Sequence, residues 1–187
     1  WQQTTGQGIV GALTSRQLAF VPTAMVAWDV FKSAYPNGEV LSRETGHSRN
    51  YGSNPYVGYD EVNRSPFLYS GPETPDDLPA MARVLMVELN DEAVVYPFDL
   101  LHDLGVVNDT VGGIPIAIFW AAGTASALDV ASIAEGADVG AATTYRRDLD
   151  GDILTFGAER GAFVDAGTST TWDLLGNGVA GPLLGRQ

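Results

Sequence analysis

Between residues 83 and 120 the apolar positions fall into short runs broken by asparagine, aspartate and glycine, the spacing of paired strands rather than of helices. RVLMVEL at 83–89 and AVVY at 93–96, joined through Asn90-Asp91-Glu92, predict a β-hairpin. VVNDTV at 106–111, Gly112-Gly113 and residues 114–120 predict a second pair, whose latter member is apolar enough to be central in a sheet. Residues 141–147 and 152–156 flank Asp148-Leu149-Asp150-Gly151, where Asp-Gly favours a two-residue turn, so a third hairpin is expected there. Short strands are also expected at 161–165 and at 18–22, the latter ending on Pro22.

Helical spacing is confined to two places. Trp28, Phe31 and Tyr35 fall at i, i+3 and i+7 before Pro36-Asn37-Gly38 stops the run, and a short helix is expected over 98–103 after Pro97. Residues 123–136 read either as a helix, from Leu128, Ile133 and the alanines, or as a loop, from their glycine and serine. About nine short strands and two or three short helices make a β-dominated α+β fold with antiparallel hairpins, in a single domain over 1–187.

One stretch fits neither period. LSRETGHSRNYGSNPYVGYD at 41–60 packs Arg43, Glu44, His47, Arg49, Tyr51, Tyr56, Tyr59 and Asp60 between glycines and a proline. Loops of that length in compact domains are commonly functional, and the four tyrosine and imidazole rings oppose disorder. With Arg64 and the proline-rich crossing that follows, the polar loop extends over 41–80.

Two glycine-punctuated tails resemble each other. WQQTTGQGIVGALTSRQ at 1–17 contains a G-x-G-x-x-G pattern, but no strand precedes it and no helix follows, so the dinucleotide reading fails. Aligned with WDLLGNGVAGPLLGRQ at 172–187, positions 6–17 share Gly6/Gly176, Gly8/Gly178, Gly11/Gly181, Leu13/Leu183, Arg16/Arg186 and Gln17/Gln187, with Trp1 and Trp172 one gap away. Glycine-rich turn chemistry alone does not explain the Leu and Arg-Gln matches, so an internal structural repeat is expected, and with it a chain that is a fragment of a longer duplicated protein.

Composition narrows the partners. Twenty-three acidic against ten basic residues give a net charge of −13, whose field repels phosphate and opposes binding to nucleic acid or an anionic membrane. The apolar run at 114–122 falls short of the roughly 20 residues that span a bilayer. Without cysteine there is no disulfide, thiol nucleophile or thiolate metal site, and the redox compartment stays open.

Taken together, WQQTTGQGIVG, the 41–60 loop, VVNDTVGG, and DGDILTF with a later Trp resemble the prokaryotic proteins grouped as domain of unknown function 3179. The resemblance implies an upstream segment bearing cysteine and its own Asp-Gly hairpin. It also implies an extracytoplasmic location, periplasmic or at the cell surface, with a lipid anchor as one form of attachment. It implies no activity and no cofactor.

The candidate chemistry therefore rests on the residues. Arg43, Arg49 and Arg64 with Tyr51, Tyr56 and Tyr59 compose a pocket for a small polar or anionic ligand, whereas a loop held together by its own Arg–carboxylate and Tyr hydrogen bonds needs the same residues. His47 with Glu44, Tyr51 and Asp60 has ingredients of a metal or acid–base site, His47 and Asp60 being the metal candidates. His102, Asp103, Asp109, Ser126 and Asp129 contain the parts of a hydrolase triad without a G-x-S-x-G elbow, and Asp148, Asp150 and Asp152 resemble half a calcium loop but fit a hairpin turn better. Trp28 and Trp120 read as core residues rather than a carbohydrate platform.

Three function classes follow. The first is a noncatalytic binding domain using 41–60. The second is part of a metal-dependent or redox enzyme whose cysteine segment lies upstream. The third is a structural component of a surface assembly that pairs with another protein chain.

Overall fold

A computed structural model describes residues 1–187 apart from Thr4, Leu68, Thr74, Pro75 and Arg160, so parts of the tail at 1–17 and of the crossing at 64–79 lie outside the described residues. The fold is β-dominated α+β with antiparallel strands. In chain order come α1 (Trp28–Ala34), β1 (Val84–Leu89), β2 (Glu92–Pro97), α2 (Phe98–Leu104), β3 (Val106–Val111), β4 (Ile114–Ala121) and β5 (Ala141–Arg146). They are followed by β6 (Asp148–Leu149), β7 (Asp152–Ile153), β8 (Phe156–Glu159), β9 (Ala162–Asp165), β10 (Thr171–Trp172) and β11 (Gly178–Ala180). Four small sheets result, ordered β1-β2, β3-β4-β5, β6-β7 and β11-β10-β9-β8.

The β1–β2 hairpin closes on Asn90 and Asp91, both at positive φ, which matches the twist of the flanking strands. It is tied to its neighbour by Asn90 Nδ2 donating to Gly112 O (2.8 Å) and by Tyr96 Oη donating to Asp109 Oδ2 (2.8 Å). Burial and the Asp109 carboxylate both raise the Tyr96 phenol far above its ordinary value, so it stays a donor.

β4 is the central strand expected of its composition, and its two faces serve different cores. Ile116 and Ile118 point into a cluster with Val87, Tyr96, Leu101 and Val111. Ala117 and Phe119 point into a second with Ala141, Phe156, Phe163, Trp172 and Leu174. There Phe119 stacks on Phe163 (centroids 4.4 Å apart) and meets Phe156 edge-on (5.1 Å), while Phe156 meets Trp172 edge-on (5.6 Å). Asp165, fully buried, anchors this cluster by accepting from Thr168 N (2.7 Å), Thr168 Oγ1 (2.8 Å), Thr170 N (3.2 Å) and Trp172 Nε1 (3.2 Å). Asn108 bridges the sheets, its side chain bonding both the N–H and the carbonyl of Phe156.

Several expectations are corrected. Residues 18–22 form no strand: Leu18 N donates to Gly6 O (3.0 Å), but among the described residues no ladder continues from that bond. The 141–147 segment pairs with β4 rather than with 152–156, because register with β4 runs from Ala121↔Ala141 to Ile116↔Arg146. Of the expected hairpin there remain β6–β7, closed by Asp150 (φ 53°) and Gly151 (φ 96°), and one further rung in which Leu154 N donates to Arg147 O (2.8 Å). Of the two readings open for 123–136, the loop is the one found, with a 3-10 turn at Ile133–Glu135. α1 forms where its spacing predicts but buries no residue: Trp28 stacks on Phe31 (5.5 Å) and stays exposed rather than entering the core.

The segments 6–17 and 176–187 carry the same local bonds. Gly8 N donates to Arg16 O and Gly178 N to Arg186 O, both at 2.8 Å. Ser15 N donates to Gly8 O (2.7 Å) as Gly185 N does to Gly178 O (2.8 Å), and Arg16 N to Leu13 O (3.0 Å) as Arg186 N does to Leu183 O (3.1 Å). Gln17 Nε2 reaches Thr5 O as Gln187 Nε2 reaches Leu175 O.

Candidate functional site

The 41–60 loop divides at Ser53. Before it, Arg43, Glu44, His47 and Arg49 are exposed, and the Tyr51 hydroxyl bonds that of Thr45 at 3.0 Å and no other side chain among the described residues. After it, the chain docks along 128–132 like an irregular strand. Asn54 N donates to Ala131 O (2.9 Å), Gly58 N to Asp129 O (2.7 Å) and Tyr59 N to Leu128 O (3.1 Å), with Asn54 Nδ2 reaching Val130 O (3.2 Å). Buried Asn54 also accepts from Tyr56 N (2.8 Å), turning the chain so that Tyr56 and Tyr59 sit side by side, 6.1 Å between centroids.

This docking carries Tyr59 and Asp60 to the rim of a cleft of about 510 Å³ whose other walls include Arg83, Phe98, His102, Trp120 and Asp138. Asp60 Oδ2 accepts from the buried Ser126 hydroxyl, which in turn accepts from Leu128 N (3.2 Å) and Arg83 Nη2 (3.4 Å). The Arg83 guanidinium lies 3.9 Å from the Asp60 carboxylate and 5.8 Å from the centre of the Phe98 ring. Opposite, His102 meets Trp120 edge-on at 4.8 Å, with its Nδ1 3.0 Å from Asp103 Oδ1. Trp120 Nε1 is buried without a hydrogen-bond partner among the described residues. Asp138 accepts from Gly140 N (2.9 Å), Gly123 N (2.8 Å) and Thr124 N (3.0 Å). The Gly140 and Gly123 amides hold its carboxyl below the ordinary range, with a further contribution from His102. Position 140 must be glycine: a Cβ there would lie 2.2 Å from the Trp120 ring, and φ is +70°.

The residues singled out from the sequence are thus distributed rather than gathered. Tyr59 and Asp60 reach the cleft. Tyr56 and Arg64 line a neighbouring cavity of about 460 Å³, where Arg64 is paired with Glu61 (2.9 Å). Arg43 and Arg49 make no ion pair among the described residues. His47 is exposed on the outer half of the loop, and among the described residues no three His, Asp or Glu side chains are placed to hold a metal ion.

The triad parts also separate. Ser126 bonds Asp60 rather than His102, Asp109 accepts from Tyr96, and Asp129 accepts from Ala137 N (2.7 Å). Asp148 and Asp150 pair with Arg146 and Arg186. Arg83, Trp120 and Asp138 were not singled out as site residues. The signal for Arg83 is a cation placed directly before an apolar strand; Asp138 carries none beyond the glycines around it.

A family model matches residues 1–187. The chain belongs to that family, protein of unknown function DUF3179. No curated protein and no solved structure matches it. Family membership therefore adds no ligand and no reaction to the geometry. Among the described residues no helix is long and apolar enough to cross a membrane.

Proposed function

We propose that this DUF3179 chain is a noncatalytic, extracytoplasmic binding domain whose small polar ligand sits in the cleft between the inner half of the 41–60 loop and the α2–β4 wall. The observation that carries the reading is the cleft's mixture of incompletely satisfied polar groups and aromatic faces: Arg83 held at only 3.9 Å from Asp60, and Trp120 Nε1 without a partner, beside Phe98 and Tyr59. Clefts of a few hundred Å³ with few polar groups on apolar walls are the usual form of small-molecule sites. Asp60, Asp99 and Asp138 outnumber Arg83 and His102, which favours a neutral or zwitterionic ligand over an anion. The extracytoplasmic setting rests on the resemblance to exported family members.

Thermal-shift measurements with sugars, amino acids and polyols test the reading. Ala122→Trp, at an exposed position on the cleft wall, should abolish a stabilising shift that the Arg49→Ala/Tyr51→Ala protein retains. The opposite pattern would assign binding to the outer loop.

A second reading, a module that docks on another protein chain, is supported by the exposure of Trp1, Leu13, Leu18 and Phe20 around the 6–17 unit, whereas Trp172 and Leu175 beside the 176–187 unit are buried. A species that sediments as a monomer at all concentrations would count against it.

A further inference from the structure

A third cavity, of about 520 Å³, opens between the end of β5, the β6–β7 hairpin, β8 and the 176–187 unit. Its apolar lining comes from Tyr145, Leu149, Leu154, Phe156 and Trp172, and its cationic end from Arg147. Arg83, Arg146 and Arg186 each lie against a carboxylate. Arg147 does not: Nη1 donates to Leu154 O (2.9 Å), and Nε is buried with no hydrogen-bond partner among the described residues. In a chain of net charge −13, Arg147 is a part-buried guanidinium that no acidic side chain neutralises among the described residues, whereas Arg43 and Arg49, also without an ion pair, are exposed to water.

We propose that this cavity binds a monocarboxylate with a short aliphatic or aryl body, the carboxylate on Arg147 and the body among Tyr145, Leu149, Leu154, Phe156 and Trp172. A guanidinium matches a carboxylate through parallel N–H···O bonds, and the aromatic and leucine walls match an apolar body. A phosphate dianion fits less well. The adjacent Arg146 is committed to Asp148 through two bonds (2.9 and 2.7 Å), so one guanidinium is available for one negative charge. A cation is disfavoured for the complementary reason, since the Asp148 carboxylate is already held by Arg146. The site is separate from the cleft beside Asp60 and Arg83, so either assignment can fail without the other.

Hexanoate is the probe, with hexanol as its uncharged counterpart, titrated calorimetrically into the whole chain. Saturable hexanoate binding in the millimolar range is expected, with hexanol at least about tenfold weaker, the ratio that a charge-assisted pair contributes. Arg147→Gln should weaken hexanoate by a similar factor. Leu149→Trp, which fills the cavity and keeps the guanidinium, should abolish binding, and it decides the matter if Arg147→Gln does not fold. No saturable binding to the unmodified chain, equal binding of hexanol, or undiminished binding to either folded variant overturns the proposal.

Discussion

Residues 6–17 and 176–187 share a set of local hydrogen bonds but lie in different surroundings. Around the later unit, Thr170 Oγ1 accepts from Leu183 N (3.1 Å), Asp150 pairs with Arg186, the Tyr145 ring lies against Gly176 and Thr170 lies against Gly181. Around the earlier unit, Gly11 has no atom within 4 Å of where its Cβ would stand, and Arg16 makes no ion pair among the described residues. Trp1 is 52% exposed where Trp172 is 4% exposed. The bonds within each unit depend on glycines at positive φ and near-neighbour carbonyls, so they form without a core. Burial is a separate property, supplied by β5, β9 and β10.

Matched substitutions sharpen that contrast. The largest difference is expected between Trp172→Ala, which should lower unfolding free energy by about 3–5 kcal/mol, and Trp1→Ala, which should change it by no more than about 0.5 kcal/mol in chemical denaturation. Equal losses would mean that the earlier unit is packed in solution.

Asp165→Asn should cost about 1–3 kcal/mol at neutral pH, because the buried donors of Thr168, Thr170 and Trp172 lose a charged acceptor. Burial pushes the Asp165 carboxyl up, but the donors of Thr168, Trp172 and Thr170 together outweigh it, so its folded-state value lies below the ordinary one. Between the two values the unfolded chain holds a proton that the folded chain does not. The stabilisation is therefore full above the ordinary carboxylate value of about 4 and is lost as pH falls through the folded value. Acid titrations of unfolding free energy should converge for the two proteins at low pH; parallel curves would remove Asp165 as the source.

The smallest effect belongs to the exposed Arg186–Asp150 pair. Arg186→Ala should cost at most about 0.5 kcal/mol, a loss that added salt reduces, while Arg16→Ala should leave stability unchanged.

The strands with strong apolar alternation or turn residues were legible in the sequence. Asn90-Asp91, Gly112-Gly113 and Asp150-Gly151 mark their turns, and β4 reads as central from its composition alone. Partner choice was less legible: β5 pairs with β4 rather than closing the Asp-Gly hairpin, a matter of long-range register that local pattern does not encode. Residues 18–22 have strand composition but extend no ladder beyond the Leu18–Gly6 bond, and α1 has an amphipathic face but buries no residue. Of the candidate site, the sequence marked the loop and not its division at Ser53. What splits it is the run of backbone bonds from Asn54, Gly58 and Tyr59 to 128–131, across about seventy residues, which no spacing within 41–60 could announce.

β4 belongs to both clusters at once, Ile116 and Ile118 on one side and Ala117 and Phe119 on the other. The middle of this strand therefore has no water-facing side, and a charge introduced anywhere from 116 to 119 would meet an apolar cluster whichever way it pointed.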